Sequence, residues 1–274
     1  MQSGKGDGIM RIGNRIFERG RTYVCGILNV TPDSFSDGGK YNSRDAMLFH
    51  VQEMVRDGCD LLDIGAESTR PGFSPVSAAE EQDRLLPALS DIRERFDIPV
   101  SVDTYKAGTA RAVIAAGADL INDIRGLAPD PEMLRVIADA GVPCVLMHDG
   151  PASSAAACAQ EMISAALAAQ DAGTERENII LDPGIGFGKT QEMNLMLLGG
   201  LSELTRSGYP VLLGASRKSV IDYVLHLPVD QREEGTLVTS VAAVFAGCLF
   251  VRVHDVKANR RAVDMALAIK NAQA

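Results

Sequence analysis

Three acceptor side chains close apolar runs of strand length: Asp103 ends VSVD, Asn122 stands beside Asp123 in DLIND, and Asp182 ends IILD. An aspartate can take two parallel N–H donors, and an amide adds an acceptor and donors of its own. Two acids and an amide around one cavity therefore suit the flat, guanidine-like edge of a nitrogen heterocycle. Any one of them could cap a helix or bond to a neighbour, but three together point to a binding site. The candidate cations are equally few: Arg70 in ESTRPG, Lys218 in ASRKS, and Arg252 and His254 in VRVHD. Two apart on one strand, Arg252 and His254 share a face and form a natural clamp on an anion, with Asn29 and Arg70 able to help.

After Asp182 the chain runs PGIGFGKT, whose three alternate glycines let the backbone turn tightly and let another molecule approach without a Cβ in the way. The same stretch resembles the end of a nucleotide-hydrolase phosphate loop. That template needs glycine at 183, however, and Pro183 has neither the N–H nor the free φ that a loop of phosphate-binding amides requires.

What must position these residues is a repeated rhythm of apolar strand, polar end and amphipathic helix. The strand runs are VCGILN ending at Asn29, LLDIG near Asp63, VSVD, DLIND, VLMH at His148, IILD, VLLGAS near Ser216, and LFVRVH. Helix-period segments at 42–58, 77–96, 106–116, 131–140, 153–172, 191–198, 233–246 and 257–271 separate them, which forces parallel strands with crossovers. Ser77 with Glu80 forms a capping box, and Gly117 and Gly141 mark helix ends. Eight such units predict an α/β fold of the (β/α)8 TIM-barrel type, with all the polar strand ends on one face. A doubly wound open sheet is disfavoured, because NVTPDSFSDGG rather than G-x-G-x-x-G follows the first strand. MRIGNRIFERG at 10–20 reads as a short N-terminal β-hairpin able to cover the barrel floor, residues 1–9 as a loose end, and 10–274 as one domain.

Composition narrows the function classes. The chain has 274 residues, 46% of them hydrophobic, and a net charge of −9 with no Lys/Arg cluster, so nucleic acid and anionic membrane are not expected partners. The opening MQSGKGDGIM has no apolar signal core, and no run reaches the ~18 apolar residues of a membrane span, so a soluble, cytoplasmic protein is expected. The 5 cysteines lie far apart without a C-x-x-C, which suggests neither a disulfide framework nor a zinc site.

GILNVTPDSFSDGG, LLDIGAESTRPG, VSVDTYK, LINDIRG, ILDPGIGFGKT, GASRKS and VRVHDV occur in this order along nearly the whole chain. The sequence resembles the dihydropteroate synthase family, the pterin-binding barrels of folate biosynthesis. That resemblance implies condensation of a dihydropterin methyl diphosphate with 4-aminobenzoate, releasing diphosphate and using Mg2+. By motif position, Asp103, Asn122, Asp182 and Lys218 would hold the pterin, with apolar contacts from Met147 and Phe187. Asn29 matches the magnesium-linked asparagine, and Arg252, His254 and Arg70 match diphosphate contacts. Thr69 and Ser219, with Phe35 and Pro71 from two loops at 30–40 and 68–74, match the aminobenzoate pocket. A homodimer through late helices is also implied, and the apolar stretch at 236–247 is compatible with it.

Two departures stand out: Ala66 replaces a family glycine, and residues 149–160 form a shorter connection than the family usually has. The rival readings are a pterin-binding methyltransferase acting with a corrinoid partner, for which the Arg252–His254 clamp has no use, and a non-catalytic pterin-binding paralogue.

Overall fold

The structure, a computed structural model, describes residues 9–31, 43–67, 76–126 and 131–272. It opens with an antiparallel hairpin, β1 (Ile9–Ile12) and β2 (Arg15–Glu18), turning at Gly13, whose φ of 57° suits glycine. The hairpin starts at Ile9, one residue earlier than the sequence reading, and residues 1–8 lie outside the described residues.

The barrel strands are β3 (Tyr23–Asn29), β4 (Leu61–Gly65), β5 (Val100–Asp103), β6 (Leu120–Asp123), β7 (Cys144–Met147), β8 (Ile179–Asp182), β9 (Leu212–Leu213) and β10 (Phe250–Val253). Around them lie α1 (Ser43–Arg56), α2 (Ala78–Arg95), α3 (Ala107–Ala115), α4 (Pro131–Ala140), α5 (Ala155–Asp171), α6 (Gln191–Gly199), α7 (Leu201–Thr205), α8 (Ser219–Leu225), α9 (Glu233–Ala246) and α10 (Val256–Asn271). The strands pair in parallel in the order β8-β7-β6-β5-β4-β3-β10-β9. A bridge between Leu181 and Val211, with Leu181 N–H donating to Pro210 O at 2.9 Å, joins the two ends and closes the ring. The expected fold is therefore present. The VLLGAS run contributes only two strand residues, because Gly214 and Ala215 leave the sheet for the turn that starts α8.

The alternation of strand side chains divides the apolar interior in two. Val24, Leu62, Val102, Ile121, Leu146, Leu181, Leu213 and Val251 face outward onto the helices and belong to the larger core. Cys25, Leu61, Leu120, Val145, Ile180, Leu212 and Phe250 face inward and form a second cluster with Met10, Ile12 and Phe17 of the hairpin. Phe17 meets Tyr23 edge-on at 4.9 Å and Phe250 at a tilt at 5.1 Å. The hairpin is thus a plug at the lower end of the barrel, as the sequence suggested. Ser77 Oγ accepts from Glu80 N–H at 3.2 Å, the expected cap of α2.

Candidate active site

Every strand side chain two residues beyond the apolar floor faces the same axis one pleat higher. On the successive strands this gives Ile27, Asp63, Asp103, Asn122, Met147, Asp182, Gly214 and Arg252, stepped around the barrel: Asp63 is in register with Ser101, and Asp103 with Gly65 and Asn122. Period-two geometry thus collects Asp103, Asn122, Met147, Asp182 and Arg252 in one ring. It also excludes two polar residues that the sequence placed at strand ends. His148 and Asp123 have the opposite parity and face the helix side. There His148 Nε2 meets Glu161 Oε2 at 3.1 Å, and Asp123 Oδ1 accepts from Arg125 N–H at 2.8 Å.

Arg252 occupies the middle of the ring. Its Nε donates to Asp63 Oδ2 at 2.6 Å and its Nη2 to Asp103 Oδ2 at 3.0 Å. From sequence, Asp103 had no evident basic partner; the structure supplies one from a strand 149 residues away. Burial disfavours the guanidinium charge, but Asp63 and Asp103 outweigh that and hold Arg252 well above the ordinary arginine range. Burial pushes Asp103 up to about 7; Arg252 pulls it down, while Asp63, Glu81 and Asp123 add to the rise.

Opposite charges meet again at β8. Asp182, 5% exposed, accepts from Gly184 N–H at 2.8 Å, and burial raises its pKa against the pull of Lys218. A Cβ on Gly214 would stand 3.4 Å from Asp182 Oδ2 and 3.9 Å from Lys218 Nζ, so glycine leaves room between strand and ligand space. Lys218 Nζ donates to Ile185 O at 2.5 Å and lies 4.6 Å from the centroid of the Phe187 ring. Burial pulls Lys218 down to about 8, against the attraction of Asp182.

Next to these residues, Asn122 Nδ2 donates to Asp63 Oδ2 at 3.2 Å, and its buried Oδ1 has no partner among the described residues. His254 Nδ1 lies 3.0 Å from Ser216 Oγ. Ser219 is exposed at the start of α8 and accepts from Gln191 Nε2 at 3.1 Å. Asn29 is exposed at the end of β3. Phe35, Thr69, Arg70 and Pro71 lie outside the described residues.

From sequence, Asp63 and Ser216 stand near strand ends but no role is assigned to them, nor to Ser101 and Lys189. Asp63 is 1% exposed and carries the same signal as Asp103, but two further strand residues follow it. Lys189 Nζ donates to the backbone oxygens of His148 at 2.8 Å and Phe187 at 2.9 Å, fastening the β8–α6 loop to the end of β7. The short connection after β7 is a turn that leads into α5, where Ser154 Oγ accepts from Ala157 N–H at 3.0 Å. It touches the β8–α6 loop, and a Cβ on Gly188 would come within 2.6 Å of Gly150 Cα, but the polar ring is intact above it.

Among the described residues no group of three His, Cys, Asp or Glu side chains is arranged to hold a metal by itself. A single exposed amide oxygen such as that of Asn29 suits Mg2+ whose remaining ligands are phosphate oxygens and water.

A closed barrel with paired acids, an amide and a lysine around one axial space is the class of site that binds a flat, nitrogen-rich ring. The family described as pterin binding enzyme matches residues 25–254, and the chain belongs to it. A dihydropteroate synthase of Clostridium beijerinckii is 51% identical over 93% of this chain and 97% of its own length. The structure of Xanthomonas albilineans dihydropteroate synthase with 4-aminobenzoic acid superposes with a TM-score of 0.91 at 38% identity, covering 96% of this chain and 98% of that one. That of the Clostridium difficile enzyme in the presence of pteroic acid gives 0.88 at 43%, covering 92% and 98%. Within the pterin-binding enzymes, the chain belongs to the dihydropteroate synthase family. These relatives carry the synthase name, not that of a methyltransferase.

Proposed function

We propose that this chain condenses (7,8-dihydropterin-6-yl)methyl diphosphate with 4-aminobenzoate to give 7,8-dihydropteroate and diphosphate. The observation that carries the reading is the ring of Asp103, Asn122 and Asp182 around one axis, with a buried unpaired acceptor on Asn122 and Lys218 beside Asp182. In this reading the N–H edge of the pterin is taken by Asp182 and Asn122, Phe187 and Met147 supply apolar contact, and Lys218 donates to a ring acceptor.

Departure of diphosphate leaves a pterin methyl cation delocalised into the ring. The carboxylate of Asp103, held in a site of low polarity, stabilises that charge as it develops. An aryl amine is already a neutral nucleophile, so no strong base is required. Thr69, Ser219, Phe35 and Pro71 position the amine and exclude water, and once the C–N bond has formed the amine proton passes to the departed diphosphate. Arg252, His254 and Arg70 serve the diphosphate. Asn29 would hold Mg2+ against it, and Mg2+ when bound supplies charge neutralisation of the leaving group.

The assembly proposed is a homodimer through α9 and α10, where Val238, Phe245, Met265 and Ile269 are exposed. No helix among the described residues is long and apolar enough to cross a membrane, and a cytoplasmic location is proposed. Purified protein supplied with both substrates and Mg2+ should release diphosphate and form dihydropteroate in equal amounts. Diphosphate release without dihydropteroate, or neither product, would refute the reading.

A further inference from the structure

Asp63 lies one pleat above the apolar floor and touches three different strands. Its Oδ1 accepts from Ser101 Oγ at 2.5 Å, and its Oδ2 accepts from Arg252 Nε at 2.6 Å and Asn122 Nδ2 at 3.2 Å. An ionised carboxylate only accepts, so Asn122 can turn only its NH2 toward it. The planar amide then has its oxygen aimed away from Asp63, and that oxygen is the buried atom without a partner among the described residues. Buried acceptors are almost always paired, and this one belongs to a residue in register with Asp103 on the inner face of the barrel.

We propose that Asp63 is a positioning residue that sets the hydrogen-bond polarity of the ring pocket: it commits Asn122 to accept from the ligand and turns Arg252 so that its Nη2 meets Asp103. This rests on the pterin reading above and deepens it, because the site then selects a ring that presents an N–H or amino group at Asn122 and rejects one that presents a carbonyl. An unlocked asparagine would rotate and accept either.

Two variants separate the lock from the charge. In Asp63→Asn the new NH2 can face Ser101, whose hydroxyl accepts as readily as it donates, while the amide oxygen still serves Arg252 and Asn122. The lock survives and the charge is lost. Asp63→Leu, of similar volume, removes both. Calorimetry with 6-methylpterin and 6-methyllumazine, in which an oxo acceptor replaces the 2-amino donor, should give the same preference for the pterin in wild type and Asp63→Asn. In Asp63→Leu the preference should fall roughly tenfold or more.

The second readout needs only Asp63→Asn and so remains if the leucine variant does not fold. Asp103 touches Arg252 and feels the charges of Asp63, Glu81, Asp123 and Lys218. Removing the Asp63 charge leaves Arg252 to Asp103 and should move the acid limb of kcat/KM to lower pH. An unchanged preference in Asp63→Leu, a lost preference in Asp63→Asn, or an unmoved acid limb would overturn the proposal. Wild-type protein that binds neither ring would instead refute the pterin reading, so the two failures are distinguishable.

Discussion

Asp103 sits where its charge state decides the chemistry. Burial raises its pKa to about 7 against the pull of Arg252, and only the ionised form can stabilise a cation. The sign follows directly: kcat/KM should rise with pH through about 7 as the carboxylate forms. It should fall again through about 8 as Lys218 loses its ammonium proton. A pH–rate profile checks both limbs. In Asp103→Asn the acid limb should disappear and kcat should drop by roughly 100-fold, with pterin affinity changed much less, because the cation exists only along the reaction path. Equal losses in binding and turnover would contradict that role. The residue types of this site were readable in the chain, since a carboxylate at the end of an apolar run is a strong local signal. Their partners were not: nothing local to VSVD reveals that Arg252 arrives from the last strand. Asp63 is legible as a polar residue near a strand end, but its role is not, because its partners Ser101, Asn122 and Arg252 come from three other strands.

At the scale of elements, the β8–α6 loop is held by backbone constraints. Gly184 has φ 65°, and a Cβ there would fall 1.9 Å from His148 O, so only glycine lets the loop pass so close to the end of β7. Lys189 then fixes the far end through two carbonyl oxygens, which places Phe187 against Lys218. Replacing Lys189 by Met keeps the stem but leaves those carbonyls unpaired. It should raise the Kd for the pterin substrate about tenfold, consistent with the net worth of one or two charged hydrogen bonds, with kcat changed less; titration calorimetry beside steady-state kinetics checks this. PGIGFGKT announced a tight, glycine-dependent turn, and it is one. Which neighbour each glycine approaches depended on the fold. The short helices α7 and α8 were not anticipated, because five and seven residues make fewer than two turns and show no period.

In the whole molecule the floor and the outer helices carry separate loads. Phe17 is 1% exposed and packs on two rings, so Phe17→Ala should cost about 3–5 kcal/mol, read as a lower midpoint in urea, while the folded fraction keeps its KM. On the outer surface, Val238 is 68% exposed and Met265 62%; if a second copy covers them, Val238→Glu should convert dimer to monomer in sedimentation with the barrel intact. Eight-fold alternation of strand and helix made the barrel legible, because parallel strands with crossovers leave few ways to close. Ring closure itself depends on a pairing between Leu181 and Val211 that no local pattern encodes. The hairpin stopper has one more consequence. Among the described residues the hairpin closes the lower end, so any exchange with solvent along the barrel axis is left to the strand-end mouth.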